Sequence, residues 1–204
     1  MSKTTTTPRT AHITRAFRAA TPEQAVTGLA WYVEANNIAK GFSADYAVTV
    51  PVAAGIIAAL SPINSWGANV SLAERFLAAG GLHTGYLGGG LAKGRAILAG
   101  ADIESTLNGN KTVSFFHAIA TAGKTDYATI DRHAYSAAIN TRTIDLPHLS
   151  NKRYAEFVET YRRAAKILSE ENGYTITTSE TQATVWIAYR AKHWSKTAFN
   201  VKTI

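Results

Sequence analysis

The chain has 204 residues, and its 21 lysines and arginines against 14 aspartates and glutamates give a formal net charge of +7 at pH 7. This basic balance favours a polyanionic partner, of which nucleic acid is the first candidate. The chain contains no cysteine, which excludes disulfides, thiolate zinc sites and cysteine-bound iron–sulfur clusters.

The hydropathy pattern and the N-terminal region bear on location. No apolar stretch reaches the roughly 18 residues that a membrane span requires, so we expect no membrane partner. Residues 2–9 are polar and contain no apolar signal core, which predicts a cytoplasmic protein. We expect residues 1–20 to form a flexible basic tail and residues 21–204 to form a single all-α domain.

The predicted elements, in chain order, are helices. Residues 21–24 have the spacing of a helix N-terminus, and this helix is predicted to run to about Ala39 and to end near Gly41. The apolar segment 52–60 follows Pro51 and is predicted to be a buried central helix. Hydrophobic spacing and helix-end signals predict further helices over residues 66–79, 93–98, 103–107, 111–120, 131–140, 154–168 and 178–192.

Two segments are less regular. Residues 85–90 are rich in glycine, and we interpret Gly88–Gly90 as a flexible joint because the Gly-Lys-Ser/Thr of a phosphate-binding loop does not follow. Residues 174–177 include β-branched side chains that could form a short strand, but a single strand has no sheet to join. The predicted fold class is therefore all-α.

Residues whose side chains can take part in catalysis lie at two predicted helix starts. Lys111 lies at the entry of one helix and Asp131 at the entry of the next. If both converge on one cleft, an amine and a carboxylate can perform nucleophilic or acid–base chemistry on an electrophilic carbon. Asp131 is also a good helix N-cap, a role that would leave one carboxylate oxygen free. Lys111 could instead contact phosphate or remain solvated.

Three segments resemble the helix-hairpin-helix DNA glycosylase superfamily, which has the endonuclease III-like fold. Residues 58–62, Ala-Ala-Leu-Ser-Pro, resemble the family's early buried helix, which ends in Leu-Ser before a loop that faces DNA. Residues 107–112, Leu-Asn-Gly-Asn-Lys-Thr, resemble its hairpin, although this one is two residues shorter and has one glycine fewer. Residues 128–133, Ala-Thr-Ile-Asp-Arg-His, resemble the segment with its catalytic aspartate.

The resemblance covers roughly residues 47–140, and a block over residues 182–190 extends it to the C-terminal helix. The chain is most similar to compact phage-encoded members without the iron–sulfur cluster. By this resemblance we expect two helical lobes, a helix-hairpin-helix element and a cleft. Asp131 would be the catalytic acid, and Lys111 would stand where lyase-active members keep their nucleophile. Nucleic-acid contacts are expected from Gly109, Asn110, Thr112, Ser61, Asn64, Trp66, Arg132, His133, Gln182 and Arg190.

The implied function is action on an extruded modified or damaged base in duplex DNA. The outcome would be base excision, with or without strand cleavage, or processing of hypermodified thymine in phage DNA. We expect a monomer that needs no cofactor. We also expect no metal site, because His133 and His117 lack a clear third ligand. If a phage encodes the chain, its compartment is the cytoplasm of the bacterial host.

Other interpretations remain open at several positions. Trp66 could stack on an extruded base or belong to the core. Arg190 shares a helix face with Gln182 and Trp186, and it could pair with Asp131 or reach phosphate. The alternative function is a non-catalytic protein that kept the glycosylase fold and binds nucleic acid or a host factor.

Overall fold

The computed structural model of the protein describes residues 7–194. These residues form ten α-helices and no strand, which confirms the all-α prediction. The predicted possibility of a strand over residues 174–177 is wrong, because this segment is an irregular connection. The helices are α1 (Thr10–Arg18), α2 (Pro22–Asp45), α3 (Val50–Ala59), α4 (Trp66–Ala78), α5 (Gly88–Leu98), α6 (Ile103–Leu107), α7 (Asn110–Ala120), α8 (Arg132–Ile139), α9 (Asn151–Asn172) and α10 (Thr178–Trp194).

The chain divides into two compact units. Of the described residues, unit 1 contains 7–32 and 123–194, and unit 2 contains 33–122. The helix α2 supplies residues to both, because its first part, up to Tyr32, belongs to unit 1 and the remainder to unit 2.

Unit 1 is built from α1, α8, α9 and α10, which pack against one another in every pairing. Its core contains Ile13, Phe157 and Tyr161, all fully buried. The predicted flexible tail over residues 1–20 is therefore wrong for residues 10–18, which form α1, whereas residues 1–6 lie outside the described part. Ile13 and the partly buried Phe17 place one apolar side of α1 against the core, and the threonine-rich sequence around it concealed that pattern.

Unit 2 has α3 at its centre. This helix packs against α4, α5, α6 and α7, and every residue from Ala53 to Ala59 is buried, which confirms the predicted central helix. Its N-terminus is capped by Thr49, whose side chain accepts a hydrogen bond from the Val52 N–H at 3.3 Å. Asn36 fastens α2 to the end of α7, since its Nδ2 donates to the carbonyl of Ile119 at 2.9 Å.

Glycines produced two errors of prediction in this unit. The first helix was expected to end near Gly41, but α2 continues to Asp45 because glycine is tolerated inside a helix held by tertiary contacts. Gly88–Gly90 were expected to form a flexible joint, but they begin α5. A Cβ on Gly90 would lie 3.0 Å from the Ala59 carbonyl oxygen and 2.8 Å from the Tyr86 ring, so close packing explains at least this glycine.

The start of α10 joins α2 within unit 1. Gly28 of α2 faces Thr184, and a Cβ at Gly28 would lie 2.4 Å from the Thr184 Cα. The first turn of α10 is a capping box, in which Thr177 Oγ1 accepts from the Glu180 N–H and a Glu180 carboxylate oxygen accepts from the Thr177 N–H. These contacts fix the N-terminal end of α10, and the turns that follow carry Gln182, Trp186 and Arg190.

Within residues 7–194, no single helix combines the length and the apolar character of a membrane span. The bent pair α2 and α3, with an angle of 115° between them, passes the same test together by length and composition. The apolar character of α3 is accounted for by its burial in the core of unit 2.

Candidate functional site

Asp131 stands at the junction between a buried extended segment and α8. Tyr154 clamps this segment, because its hydroxyl donates to the Ala128 carbonyl at 2.8 Å and accepts from the Ile130 N–H at 3.0 Å. Asp131 is the N-cap of α8, and its Oδ1 accepts from the N–H groups of His133 at 2.9 Å and Ala134 at 2.8 Å. The capping role proposed from the sequence is thus confirmed.

The second carboxylate oxygen of Asp131 also has a partner. The indole Nε1 of Trp186 donates to Oδ2 at 2.7 Å. The expectation that capping would leave this oxygen free is therefore wrong, because Trp186 on α10 reaches it across unit 1. Three N–H donors now hold the half-buried carboxylate in one orientation.

Two arginines adjoin this carboxylate. The Arg190 guanidinium lies over the Trp186 ring, 4.9 Å from its centroid. Burial lowers the pKa of Arg190, the charge of Asp131 opposes that shift, and Arg132 adds to it. Arg132 is exposed, and its Nη1 donates to the Ile144 carbonyl at 3.3 Å. Arg190 thus stacks on the partner of Asp131 and interacts with the carboxylate electrostatically, while Arg132, the next residue in the chain, is an exposed cation whose charge also acts on Arg190.

Polar side chains in the surroundings of Asp131 are buried. The Tyr32 hydroxyl donates to Gln182 Oε1 at 3.0 Å and lies 3.2 Å from Thr129 Oγ1. Burial raises the pKa of Tyr32, and the negative charge of Asp131 adds to that rise. The pKa of Tyr161 is raised by the same two causes in the same order. The negative charge of Asp131 therefore interacts with Tyr32 and Tyr161 through the protein interior, which screens charge weakly.

Two of the predicted nucleic-acid contacts in unit 1 are buried. Gln182 is 4% exposed and His133 is 5% exposed, with the His133 ring edge-on to Trp186 at 5.8 Å. Both side chains contribute to the surroundings of Asp131 from inside the unit. Of the predicted contacts in this unit, Arg132 and Arg190 are the ones with more accessible side chains.

Unit 2 places the predicted hairpin at the start of α7. Two residues, Asn108 and Gly109, join α6 to α7, and Asn108 adopts a left-handed conformation with a φ of 52°. Gly109 is the N-cap of α7 and has no side chain with which to cap its first turn, while Thr112 Oγ1 donates to the Gly109 carbonyl at 3.0 Å. Lys111 is exposed.

The loop before α4 is the other predicted contact in unit 2. Ser61 Oγ donates to the Ala58 carbonyl at 2.9 Å, and Asn64 Nδ2 donates to the Leu60 carbonyl at 3.0 Å. Trp66, half-buried, meets Phe115 edge-on at 6.2 Å. Phe115 lies four residues after Lys111 on α7, so this aromatic contact connects the loop with α7.

Ile63, in the same loop, was missed by the sequence reasoning. It has a φ of 59° and is 87% exposed. A β-branched residue rarely adopts this left-handed conformation, and residues held in such conformations cluster at functional sites. The sequence signal was an isoleucine inside the polar turn Ser-Pro-Ile-Asn, where its apolar side chain has no core to join.

Three further cations contact the protein itself. Lys93 Nζ donates to the Leu107 carbonyl, and Arg95 Nη1 donates to the Gly81 carbonyl at 3.5 Å. Lys124 pairs with the buried Glu180 at 2.5 Å. His117, considered above as a metal ligand, pairs with Glu104 at 3.1 Å. Within residues 7–194, no three His, Asp or Glu side chains are grouped closely enough to hold a metal ion.

The predicted site residues thus form two groups. Asp131, its two arginines and the buried Gln182 and His133 belong to unit 1, and the loop before α4 with the hairpin and Lys111 belongs to unit 2. The convergence of Asp131 and Lys111 on one cleft stays a prediction.

Comparison with known protein families gives a match over nearly the whole chain. The model of a family of unknown function, DUF7178, matches residues 1–193. Neither the curated proteins nor the solved structures contain a significant match to the chain.

Proposed function

The chain belongs to the DUF7178 family, and from its own site geometry we propose that it is a DNA-binding enzyme of the DNA glycosylase type. Its substrate would be an extruded modified or damaged base in duplex DNA. The observation that carries this proposal is the carboxylate of Asp131, which is oriented by three N–H donors and interacts electrostatically with Arg190, while the exposed Arg132 follows it in the chain.

The contacts of Asp131 favour one chemical role over another. An oxygen that already accepts hydrogen bonds is less available to remove a proton, but its charge remains and its position is fixed. A fixed carboxylate above buried groups can stabilise positive charge that develops on the sugar carbon while the base departs. Arg132 and Arg190 would attract the phosphates on either side of that sugar.

Unit 2 would supply contacts to the DNA backbone. The N-terminus of α7 begins with a glycine cap, and a helix start of this kind favours an anion at its first turn. Lys111 adds a positive charge to that turn. The exposed position of Lys111 supports a phosphate contact rather than the nucleophile, because a nucleophilic amine must be desolvated to lower its pKa.

A non-catalytic binding protein is the alternative, and a specific observation favours it. Each Asp131 oxygen has a structural partner, so helix capping and the Trp186 contact already account for this residue. A protein that binds DNA or a host factor without changing it would need nothing more from Asp131.

The test is to incubate the protein with a panel of duplexes, each with one modified or damaged base, and to weigh the products by mass spectrometry. We expect release or alteration of the base in one of these duplexes. Binding should weaken steeply with salt, because neutralised phosphates release counterions. If water attacks, borohydride should trap no covalent adduct between the protein and the DNA. If an adduct is trapped, and Lys111→Gln abolishes it while the control Lys40→Gln preserves it, Lys111 is the nucleophile.

Two results would contradict the proposal in different ways. Salt-dependent binding without a change in mass in any duplex would support the non-catalytic alternative. No binding at low ionic strength would contradict both the enzyme and the DNA-binding form of the non-catalytic alternative.

Ile63 provides a separate prediction in unit 2. Replacing it by asparagine should raise the free energy of unfolding by about 1 kcal/mol, because asparagine tolerates the left-handed conformation that isoleucine resists. If the exposed side chain enters between base steps, the same change should weaken binding to mismatched DNA by about tenfold. Urea unfolding and fluorescence titration measure the two effects.

Leu82→Asn is the matched control, since Leu82 is 81% exposed in the same unit and is not among the residues with positive φ. It should change neither quantity. Unchanged DNA affinity in a stabilised Ile63→Asn would show that the strain at this position has no part in binding.

A further inference from the structure

Unit 1 contains a recess that the proposed reaction does not use. A cavity of about 400 Å³ is lined by residues from the C-terminal parts of α1, α8 and α10. The start of α2 contributes Thr21 and Gln24 to its wall. This volume lies within the range of sites for cofactors and other small ligands.

The lining of this cavity is basic. It includes Arg15 and Lys192, which are charged, and His12 and His193, which become charged on protonation. None of the lining residues, all of which lie in the described part of the chain, is acidic.

Arg15 and Lys192 are also available to a ligand. Both are exposed, and neither pairs with a carboxylate among residues 7–194. Arg18, three residues further along α1, shows the contrast, because it pairs with Glu171 at 2.5 Å.

A third cation contributes to the field in this region. Burial lowers the pKa of His193, and the charges of Lys192 and Arg142 lower it further. Burial raises the pKa of Tyr189, and Arg142 opposes that rise. Arg142 is therefore near enough to both rings to add positive potential beside the cavity.

The helix C-termini around the cavity add negative potential, which opposes the positive potential of these side chains. The C-terminus of a helix carries about half a negative elementary charge, effective only within its last turn, and cations are stabilising there. Arg15, Lys192 and Arg142 each carry a full positive charge, so we expect the net field in the cavity to favour an anion. The role of these cations in balancing helix dipoles is nevertheless a distinct explanation, and it can be tested separately.

The cavity also has an aromatic wall. The Tyr189 and His193 rings lie 4.3 Å apart between centroids, with 39° between their planes. The hydrogen bond of 3.0 Å between His12 Nδ1 and the Ala138 carbonyl places the proton on Nδ1 and holds that ring in position.

We propose that this cavity binds a phosphorylated small molecule of nucleotide size. Arg15 and Lys192 hold the phosphate, and the planar part of the ligand packs against the pair of rings formed by Tyr189 and His193. The site lies within unit 1 and does not depend on the proposed reaction at Asp131.

The test uses the full-length chain with three probes: thymidine 5′-monophosphate, thymidine and inorganic phosphate. Binding is followed by isothermal titration and by amide shifts in NMR spectra. We expect the monophosphate to bind and to shift amides in residues 137–140 and 188–192, phosphate to bind more weakly at the same residues, and thymidine not to bind. The double variant Arg15→Gln/Lys192→Gln should weaken binding of the monophosphate at least about tenfold, because it removes two charge-assisted contacts.

The control is Lys166→Gln, which removes an exposed charge from α9 of the same unit and should leave binding unchanged. A 5′-phosphorylated duplex that competes better than the monophosphate, while the unphosphorylated duplex does not, would identify a DNA end as the source of the same phosphate. Three results would overturn the proposal: no binding of the monophosphate, equal binding of thymidine, or a double variant that loses thermal stability but keeps its affinity. The last result would assign the two cations to the helix dipoles.

Discussion

Replacing Asp131 by asparagine is expected to lower the rate of base processing at least about a hundredfold, since it removes the charge proposed to stabilise the developing cation. Asparagine caps helices about as well as aspartate, so α8 should still form. Single-turnover kinetics on the duplex identified by the substrate panel measure this loss. Affinity for that duplex should change little, because Arg132 and Arg190 remain.

The stability of this variant depends on Trp186. An asparagine that keeps its oxygen on the two α8 N–H groups turns its amide towards the indole Nε1, and two donors then face each other. We therefore expect the free energy of unfolding to fall by about 1–3 kcal/mol. From the sequence alone, with the second oxygen free, near-normal stability would be expected.

Trp186→Phe is the control that separates the two effects. It removes the same hydrogen bond and leaves the carboxylate charged, so stability should fall by about 1 kcal/mol while the rate falls less than about tenfold. The double variant should be destabilised by less than the sum of the single changes, as expected for residues in contact. Full activity in a folded Asp131→Asn protein would refute the catalytic role of Asp131, and an unfolded variant would show that this residue is structural.

Gly28→Ala is expected to destabilise unit 1 by about 3 kcal/mol or more, at the upper end for overpacking. The new Cβ would lie 2.4 Å from the Cα of Thr184, a backbone atom that cannot rotate away. Because the clash involves backbone, trimming the neighbour in the double variant Gly28→Ala/Thr184→Ala should not restore stability. Hydrogen exchange of α10 amides and a melting temperature about 10 °C lower would record the effect.

Gly41→Ala is the matched control in the same helix. Apart from the local backbone of α2, no heavy atom lies within 4 Å of a Cβ built at Gly41, so the substitution adds a methyl group to open space. Alanine in a helix interior is favoured over glycine by about 0.5–1 kcal/mol, and this variant should be slightly more stable than the parent. If Gly28→Ala were also slightly more stable than the parent, the close approach of α2 and α10 would not require glycine at position 28.

The sequence predicted those elements whose signals are local. The apolar run of α3 and the helical spacing of α4 and α9 identified these helices, and Asp131 was recognised as a cap because its pattern spans only a few residues. The helix α1 was missed because its apolar side is short and is stabilised by residues more than 100 positions away, such as Ala138, whose carbonyl accepts from Arg9.

The candidate site was predictable in its residues but not in its contacts. Spacing along α10 placed Gln182, Trp186 and Arg190 on one face, yet no spacing rule states that Trp186 donates to Asp131 or that Gln182 accepts from Tyr32. Those partners come from different helices, and their distances depend on how the helices pack. The strain at Ile63 was likewise invisible, because backbone conformation in a loop follows from the whole unit.

The division of unit 1 into two stretches of sequence has a consequence for biosynthesis. The ribosome synthesises α1 long before the helices against which it packs. For example, His12 forms a hydrogen bond with Ala138, which is added to the chain 126 residues later. The described part of unit 2, residues 33–122, is one continuous stretch of sequence and can fold while the remainder of the chain is still being made. The buried side of α1, with Ile13 and Phe17, meanwhile stays exposed to chaperones and to other nascent chains. Contacts of such long sequence separation form slowly, so completion of unit 1 is expected to be the late step of folding.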